Sequence, residues 1–144
     1  MINKPHSQEG FTLLELVVVV LVMAILAAIA MTQYGRYAYR GRRADGKEIL
    51  MRVANAQERY YATFNKYATD PVADLKLPSA NSERGFYSVA ITTTDATKNY
   101  TITATPITGQ PQQKDVCGAL SIDSTGTKLP IASDGTKNSN GPCW

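Results

Sequence analysis

The run from Phe11 to Met31, "FTLLELVVVVLVMAILAAIAM", constrains this chain more than any other feature. As a helix it spans about 30 Å at roughly 1.5 Å per residue, the depth of a bilayer's hydrocarbon core. Val17 to Val20 are β-branched and would suit a buried strand, but strands seldom exceed about eight residues. This run continues through Ala24-Ile25-Leu26-Ala27-Ala28, so the spacing predicts a membrane-length helix. One residue breaks the rule. Glu15 places a carboxylate inside the run, where an unpaired charge costs on the order of 2.5–3.5 kcal/mol near the centre and less near an end.

A secretory signal peptide is cut after its apolar region, beside small residues. Ala27-Ala28-Ile29-Ala30 loosely offers such a site, but here the sharp polar-to-apolar break lies before the run, at Gly10-Phe11. Cleavage there leaves the anchor in place and creates an α-amino group, with a pKa of about 8, at the tip of the helix. Each helix then carries a positive charge at its tip and a negative one a turn below. Two helices offset by one turn satisfy each other, and a repeating offset whose rotation does not close generates an open filament. The plainer reading of the same residue is an interfacial Glu in an ordinary single-pass anchor.

The remainder is weakly charged, with a formal net charge of +3 over 144 residues. Lys4 and Glu9 cancel, so loss of residues 1–10 leaves this balance unchanged. A solvated surface explains it without a nucleic-acid partner, which needs a clustered cationic face. The only histidine, His6, precedes the break. Without it, Ser-His-Asp and Cys-His catalysis have no imidazole. No CxxC or HExxH spacing and no phosphate-cradling glycine loop occurs, and Asp115, Asp123 and Asp134 lie scattered among turn formers. No catalytic residue, cofactor, metal or small-molecule substrate is expected. Cys117 and Cys143 pair with each other if this half leaves the cytoplasm, and are free thiols if it stays inside.

Helical patterning continues past the apolar run. Ile49, Val53, Ala56, Tyr60 and Phe64 recur at three- and four-residue steps, although Gly35, Gly41 and Gly46 weaken the middle. This stripe predicts packing against a small sheet. Tyr34, Tyr37 and Tyr39 read as interfacial anchors. Residues 65–85 form a connecting loop with one helical turn around Val72 to Leu75. Alternation then places Tyr87, Val89 and Ile91 on one face of a strand and Tyr100, Ile102 and Ala104 on one face of the next, with a hairpin turn from Asp95 to Lys98. Leu120 and Ile122 predict a third strand, ending at Ser124-Thr125-Gly126. The tail "ASDGTKNSNGPCW" is too turn-rich to bury much by itself.

The segment "GFTLLELVVVVLVMAILAAIA" resembles the N-terminal signature of type IV pilins and of the related type II secretion pseudopilins. The resemblance implies that a prepilin peptidase cuts after Gly10 and methylates Phe11, and that Glu15 meets a neighbour's amine during assembly. It implies an α+β fold: residues 1–10 are a leader, 11–31 the transmembrane and assembly half of a long helix, and 32–64 its second half. Residues 65–144 are a head with an antiparallel sheet and a C-terminal loop closed by a Cys117–Cys143 disulfide. A bridge of that span contributes roughly 3–4 kcal/mol by the loop-entropy argument. The approach "CGALSIDSTG" and the terminal Cys-Trp are similar to PilE-type minor pilins. Implied partners are other pilin subunits, the peptidase, the pilus assembly platform and the inner membrane. The implied roles are pilus assembly and twitching motility, with adhesion or DNA uptake as further roles, although the residues themselves show no clustered cationic face for nucleic acid.

Two departures stand out. Many family members carry a Gly midway along the anchor and a Pro near its end, where this chain has Ala24 and Thr32, so its helix resists breaking. Arg36, Arg40, Arg42 and Arg43 follow the apolar run, whereas Lys4 precedes it. The positive-inside rule favours a cytoplasmic head, whereas the resemblance implies an external one. Within the class, a major pilin or a pseudopilin is the alternative; outside it, a membrane-anchored periplasmic enzyme or binding module. The leader reading has a direct check. Mass analysis of the mature protein is expected to find a methylated Phe11 at the N-terminus; an intact Met1, or a cut after Ala30, contradicts it.

Overall fold

The computed structural model describes residues 10–129 and 143–144, except the side chains at 32, 33 and 36. The leader before Gly10, with His6, Lys4 and Glu9, and the tail at 132–142, with Asp134, lie outside the described residues. The chain divides between Gly35 and Arg36 into two units. One helix, α1 (Leu13–Phe64), runs through both, and remains helical at Ala24, Thr32 and the three glycines.

In the first unit every residue from Gly10 to Met31 is exposed. The span Leu13–Met31 has a mean hydropathy of 3.0 and contributes nothing to a core. A helix that is apolar all round needs lipid or other apolar helices to cover it.

The second unit packs α1 against a four-stranded antiparallel sheet in the order β1 (Tyr87–Thr92), β2 (Thr101–Pro106), β3 (Leu120–Asp123) and β4 (Lys128–Leu129). Val89 faces Ala104 across β1–β2, and Ile102 faces Ile122 across β2–β3. Because side chains alternate along a strand, Tyr87, Val89, Ile91, Ile102, Ala104, Leu120 and Ile122 share one buried face. Ile49, Leu50 and Val53 of α1 close the core from the other side.

The expected three strands, the Asp95–Lys98 turn and the single turn at 71–75 are all present. Tyr100 is buried as expected but lies just before β2, where its hydroxyl donates to Glu58 at 3.1 Å. The helical stripe needs correction at its end: Tyr60 is half-buried and Phe64 is 56% exposed. There the two rings pack on each other, 4.4 Å between centroids, instead of entering the core. Gln57, outside the stripe, is fully buried because its amide both donates to and accepts from the backbone of Ala68 at 2.8 Å. Two-residue β4 and the short 3-10 helix Pro111–Lys114 carry no sequence signal, because neither is long enough to show a period.

Two contacts tie α1 to the head. At Gly46 the helix comes so close to Tyr87 that a Cβ would sit 3.0 Å from its ring. One turn earlier, Arg43 is 1% exposed and binds Asp115 bidentately, with Nε to Oδ2 and Nη2 to Oδ1 both at 2.7 Å. Gln112 donates to Asp115 at 2.7 Å and to the Tyr87 hydroxyl at 2.9 Å. Burial pushes the Tyr87 phenol up to about 12. Asp115 is therefore a buried ion-pair partner, not a surface turn acid.

Thermal or denaturant unfolding of the full chain separates these effects. Gly41 has open space around its Cα, so Gly41→Ala is expected to stabilise by up to about 1 kcal/mol through helix propensity. Gly46→Val is expected to destabilise by about 1–3 kcal/mol, because its side chain must displace the buried Tyr87 ring. Asp115→Ala takes from the buried Arg43 guanidinium the carboxylate that it binds through two nitrogens and is expected to cost about 3–5 kcal/mol. Replacing both partners together by apolar residues should cost clearly less, and an equal loss would contradict this account of the pair.

Candidate functional site

Three regions carry chemistry. The first is the start of α1. Gly10 and Phe11 precede the helix, and Phe11 is 86% exposed. Thr12 takes the N-cap position: its Oγ1 accepts from the Glu15 amide at 3.2 Å and its carbonyl from the Leu16 amide at 3.2 Å. Thr12-Leu13-Leu14-Glu15 thus has the spacing of a capping box, in which an acid at the third helical position also favours the positive end of the helix dipole. That spacing is visible in the sequence and gives Glu15 a local role beside any intermolecular one. Phe11, Glu15, Leu16, Val19 and Val20 line an open concavity of about 390 Å³. Among the described residues Glu15 makes no ion pair.

The second region is the end of the head that holds Cys117, bonded to Cys143. The disulfide brings Trp144 onto the head, where its indole N–H donates to the Leu129 carbonyl at 2.8 Å. Lys128 lies 5.3 Å and Lys47 5.8 Å from the Trp144 ring centroid. Burial, then the neighbouring charges of Arg43 and Lys128, hold the Lys47 amine below its ordinary pKa. Arg42 stacks over Phe86 at 5.3 Å and Tyr39 at 5.9 Å. The arginines that follow the apolar run are thus partly committed: Arg43 to Asp115 and Arg42 to aromatic rings. Tyr34 and Tyr37 remain exposed, while Tyr39 is half-buried.

The third region is the other end of the sheet, where the β1–β2 and β3–β4 loops meet in a groove of about 360 Å³. No group of three or more His, Cys, Asp or Glu side chains suited to a metal occurs among the described residues.

Comparison with known proteins fits this architecture. Residues 5–31 match the family described as the prokaryotic N-terminal methylation motif, and residues 32–121 match the family described as "Type IV minor pilin ComP, DNA uptake sequence receptor". The fimbrial protein EcpC of Eikenella corrodens is 32% identical over 98 residues, covering 68% of this chain and 62% of EcpC. The type IV major pilin PilA of Myxococcus xanthus is 33% identical over 60 residues, 42% of this chain and 27% of PilA. The chain therefore spans less than two thirds of these relatives. A type IV pilin structure from Shewanella oneidensis superposes with a TM-score of 0.51 at 31% identity, covering 74% of this chain and 97% of that one. With a methylation motif leading into an exposed apolar helix, and a minor-pilin family match over most of the rest, this chain belongs to the type IV pilin family, among the minor pilins grouped with ComP.

Proposed function

We propose that this protein is a minor subunit of a type IV pilus. It enters the inner membrane as a single-pass precursor, is cut between Gly10 and Phe11 by a prepilin peptidase, is methylated at Phe11, and is passed by an assembly platform into a surface filament. The observation that carries this reading is the fully exposed apolar helix from Leu13 to Met31, with one carboxylate a turn below its start. Lipid covers that surface in the precursor, and the helices of neighbouring subunits cover it in the filament. Glu15 sets the offset by pairing with a neighbour's α-amine. Its place at the third helical position supports this, because the capping Thr12 holds the backbone that presents it. The protein has a structural and not an enzymatic role, in pilus biogenesis and twitching motility.

An external head is compatible with the arginines after the apolar run, because a segment of this length translocates largely regardless of its charge. In the folded head Arg43 and Arg42 are then taken up by Asp115, Phe86 and Tyr39. A second reading adds DNA contact. The ComP family description names a DNA uptake sequence receptor, and Lys47 and Lys128 beside Trp144 form a small cationic and aromatic surface suited to phosphate and base.

Variants of Glu15 test the assembly reading. Glu15→Ala should insert normally, since it removes a costly charge, and be cleaved normally, since the Gly10-Phe11 junction is untouched. Its incorporation into filaments should fall roughly tenfold or more, the effect of losing about 1.4 kcal/mol. Glu15→Gln keeps the shape and some hydrogen bonding without the charge, and should fail similarly. Normal assembly of the Gln variant beside failure of the Ala variant replaces the ion pair by hydrogen bonding. Wild-type incorporation of both, in cells lacking the native copy, removes Glu15 from assembly.

A further inference from the structure

The groove at the end of the sheet opposite Cys117 is built by two loops that each hold one polar side chain by half of its atoms. In the β3–β4 turn, Oδ1 of Asp123 accepts from the Thr125 amide at 2.9 Å, the Thr125 hydroxyl at 2.6 Å and the Thr127 amide at 2.9 Å. Oδ2 takes part in none of these bonds. In the β1–β2 loop, Oδ1 of Asn99 accepts from the Thr94 hydroxyl at 2.9 Å and the Thr94 amide at 3.3 Å. The Asn99 amide nitrogen takes part in neither. Each loop thus fixes the orientation of its side chain and leaves one group over, an acceptor from Asp123 and a donor from Asn99. Both residues are half-buried and both line the groove of about 360 Å³. Thr93, Ser124 and Thr125 add hydroxyls around them.

We propose that this groove is a binding site for a neutral polyhydroxylated ligand, a single pyranose sugar. A carboxylate acceptor and an amide donor held rigidly are suited to adjacent hydroxyl groups, each of which both donates and accepts. A phosphate is disfavoured by the Asp123 carboxylate, and hydrogen bonds from Thr125 keep that group ionised by holding its pKa below the usual carboxylate value. The same holds in the neighbouring turn for Asp95, whose pKa is lowered first by the Thr97 hydroxyl. Tyr100 lines the groove but is 4% exposed, so hydrogen bonds and not ring stacking carry the affinity, and binding is weak. The site is separate from the assembly helix and from the lysines beside Trp144.

Saturation-transfer NMR on the full chain in nanodiscs of zwitterionic phospholipid tests this, with glucose, galactose, mannose and N-acetylglucosamine as probes. At least one sugar is expected to give saturable transfer, with half-saturation in the range of about 1–10 mM. Asp123→Asn and Asn99→Asp both keep the Oδ1 that holds the loop and reverse the remaining group. Each should weaken binding about tenfold. Asp123→Asn also loses the charge that the Thr125 and Thr127 donors stabilise, so its melting temperature is expected to fall while that of Asn99→Asp is unchanged. Thr93→Val, which exchanges a groove hydroxyl for a methyl, should weaken binding too and serves if either loop variant melts early. The proposal is overturned if no sugar gives saturable transfer up to about 50 mM, or if all three variants bind like the wild type. It is overturned as well if thymidine monophosphate binds, more tightly to Asp123→Asn, while the sugars do not.

Discussion

The bidentate pair between Arg43 and Asp115 organises the head. Two charges taken out of water each cost several kcal/mol unless geometry and further hydrogen bonds compensate. Here they do: both Asp115 oxygens receive the guanidinium at 2.7 Å, and Gln112 and the Cys117 amide bind the same carboxylate. The pair therefore fixes where the segment from Pro111 to Cys117 lies against α1. Gln112 in turn reaches the Tyr87 hydroxyl, whose ring sits on Gly46. Cys117 is placed two residues beyond Asp115, and its disulfide carries Trp144 to Lys47 and Lys128.

The helix does two different jobs with one backbone. Up to Met31 it has no polar face, so its surface is left for lipid or for other helices. Beyond Arg36 it carries an apolar side at Ile49, Leu50 and Val53, which the sheet buries. Both Ala24 and Thr32 continue the helix. The middle of the apolar run therefore lacks the Gly and Pro that favour local loosening of a helix.

Charge is distributed in keeping with that division. Close to the apolar run the arginines are drawn into the head by an acid and by aromatic rings, whereas the far end of the sheet is rich in hydroxyls and carboxylates. Counting basic residues along the chain treats all of them as solvated. In three dimensions Arg43 is not, so the simple count overstates the charge that an external head exposes.

Much of this was legible in residue order. A membrane-length apolar run is local, and its length and composition mark it as a helix without knowledge of the fold. The polar-to-apolar break at Gly10-Phe11 and the acid at Glu15 are equally local features. Strand alternation likewise placed Tyr87, Val89, Ile91, Ile102, Ala104, Leu120 and Ile122 on the core face, because a period of two is set by the backbone alone. The spacing of the Thr12 cap to Glu15 is legible too, and the structure shows the hydrogen bond that it makes. What remained for tertiary structure depends on residues far apart in the chain. Arg43 and Asp115 are 72 positions apart, and each alone looks like a surface charge. Whether the stripe at Tyr60 and Phe64 is covered depends on where the sheet ends, and the need for Gly46 depends on where the Tyr87 ring arrives. Pairing across such distances has no period and no motif; it is decided by which surfaces meet once helix and sheet have packed.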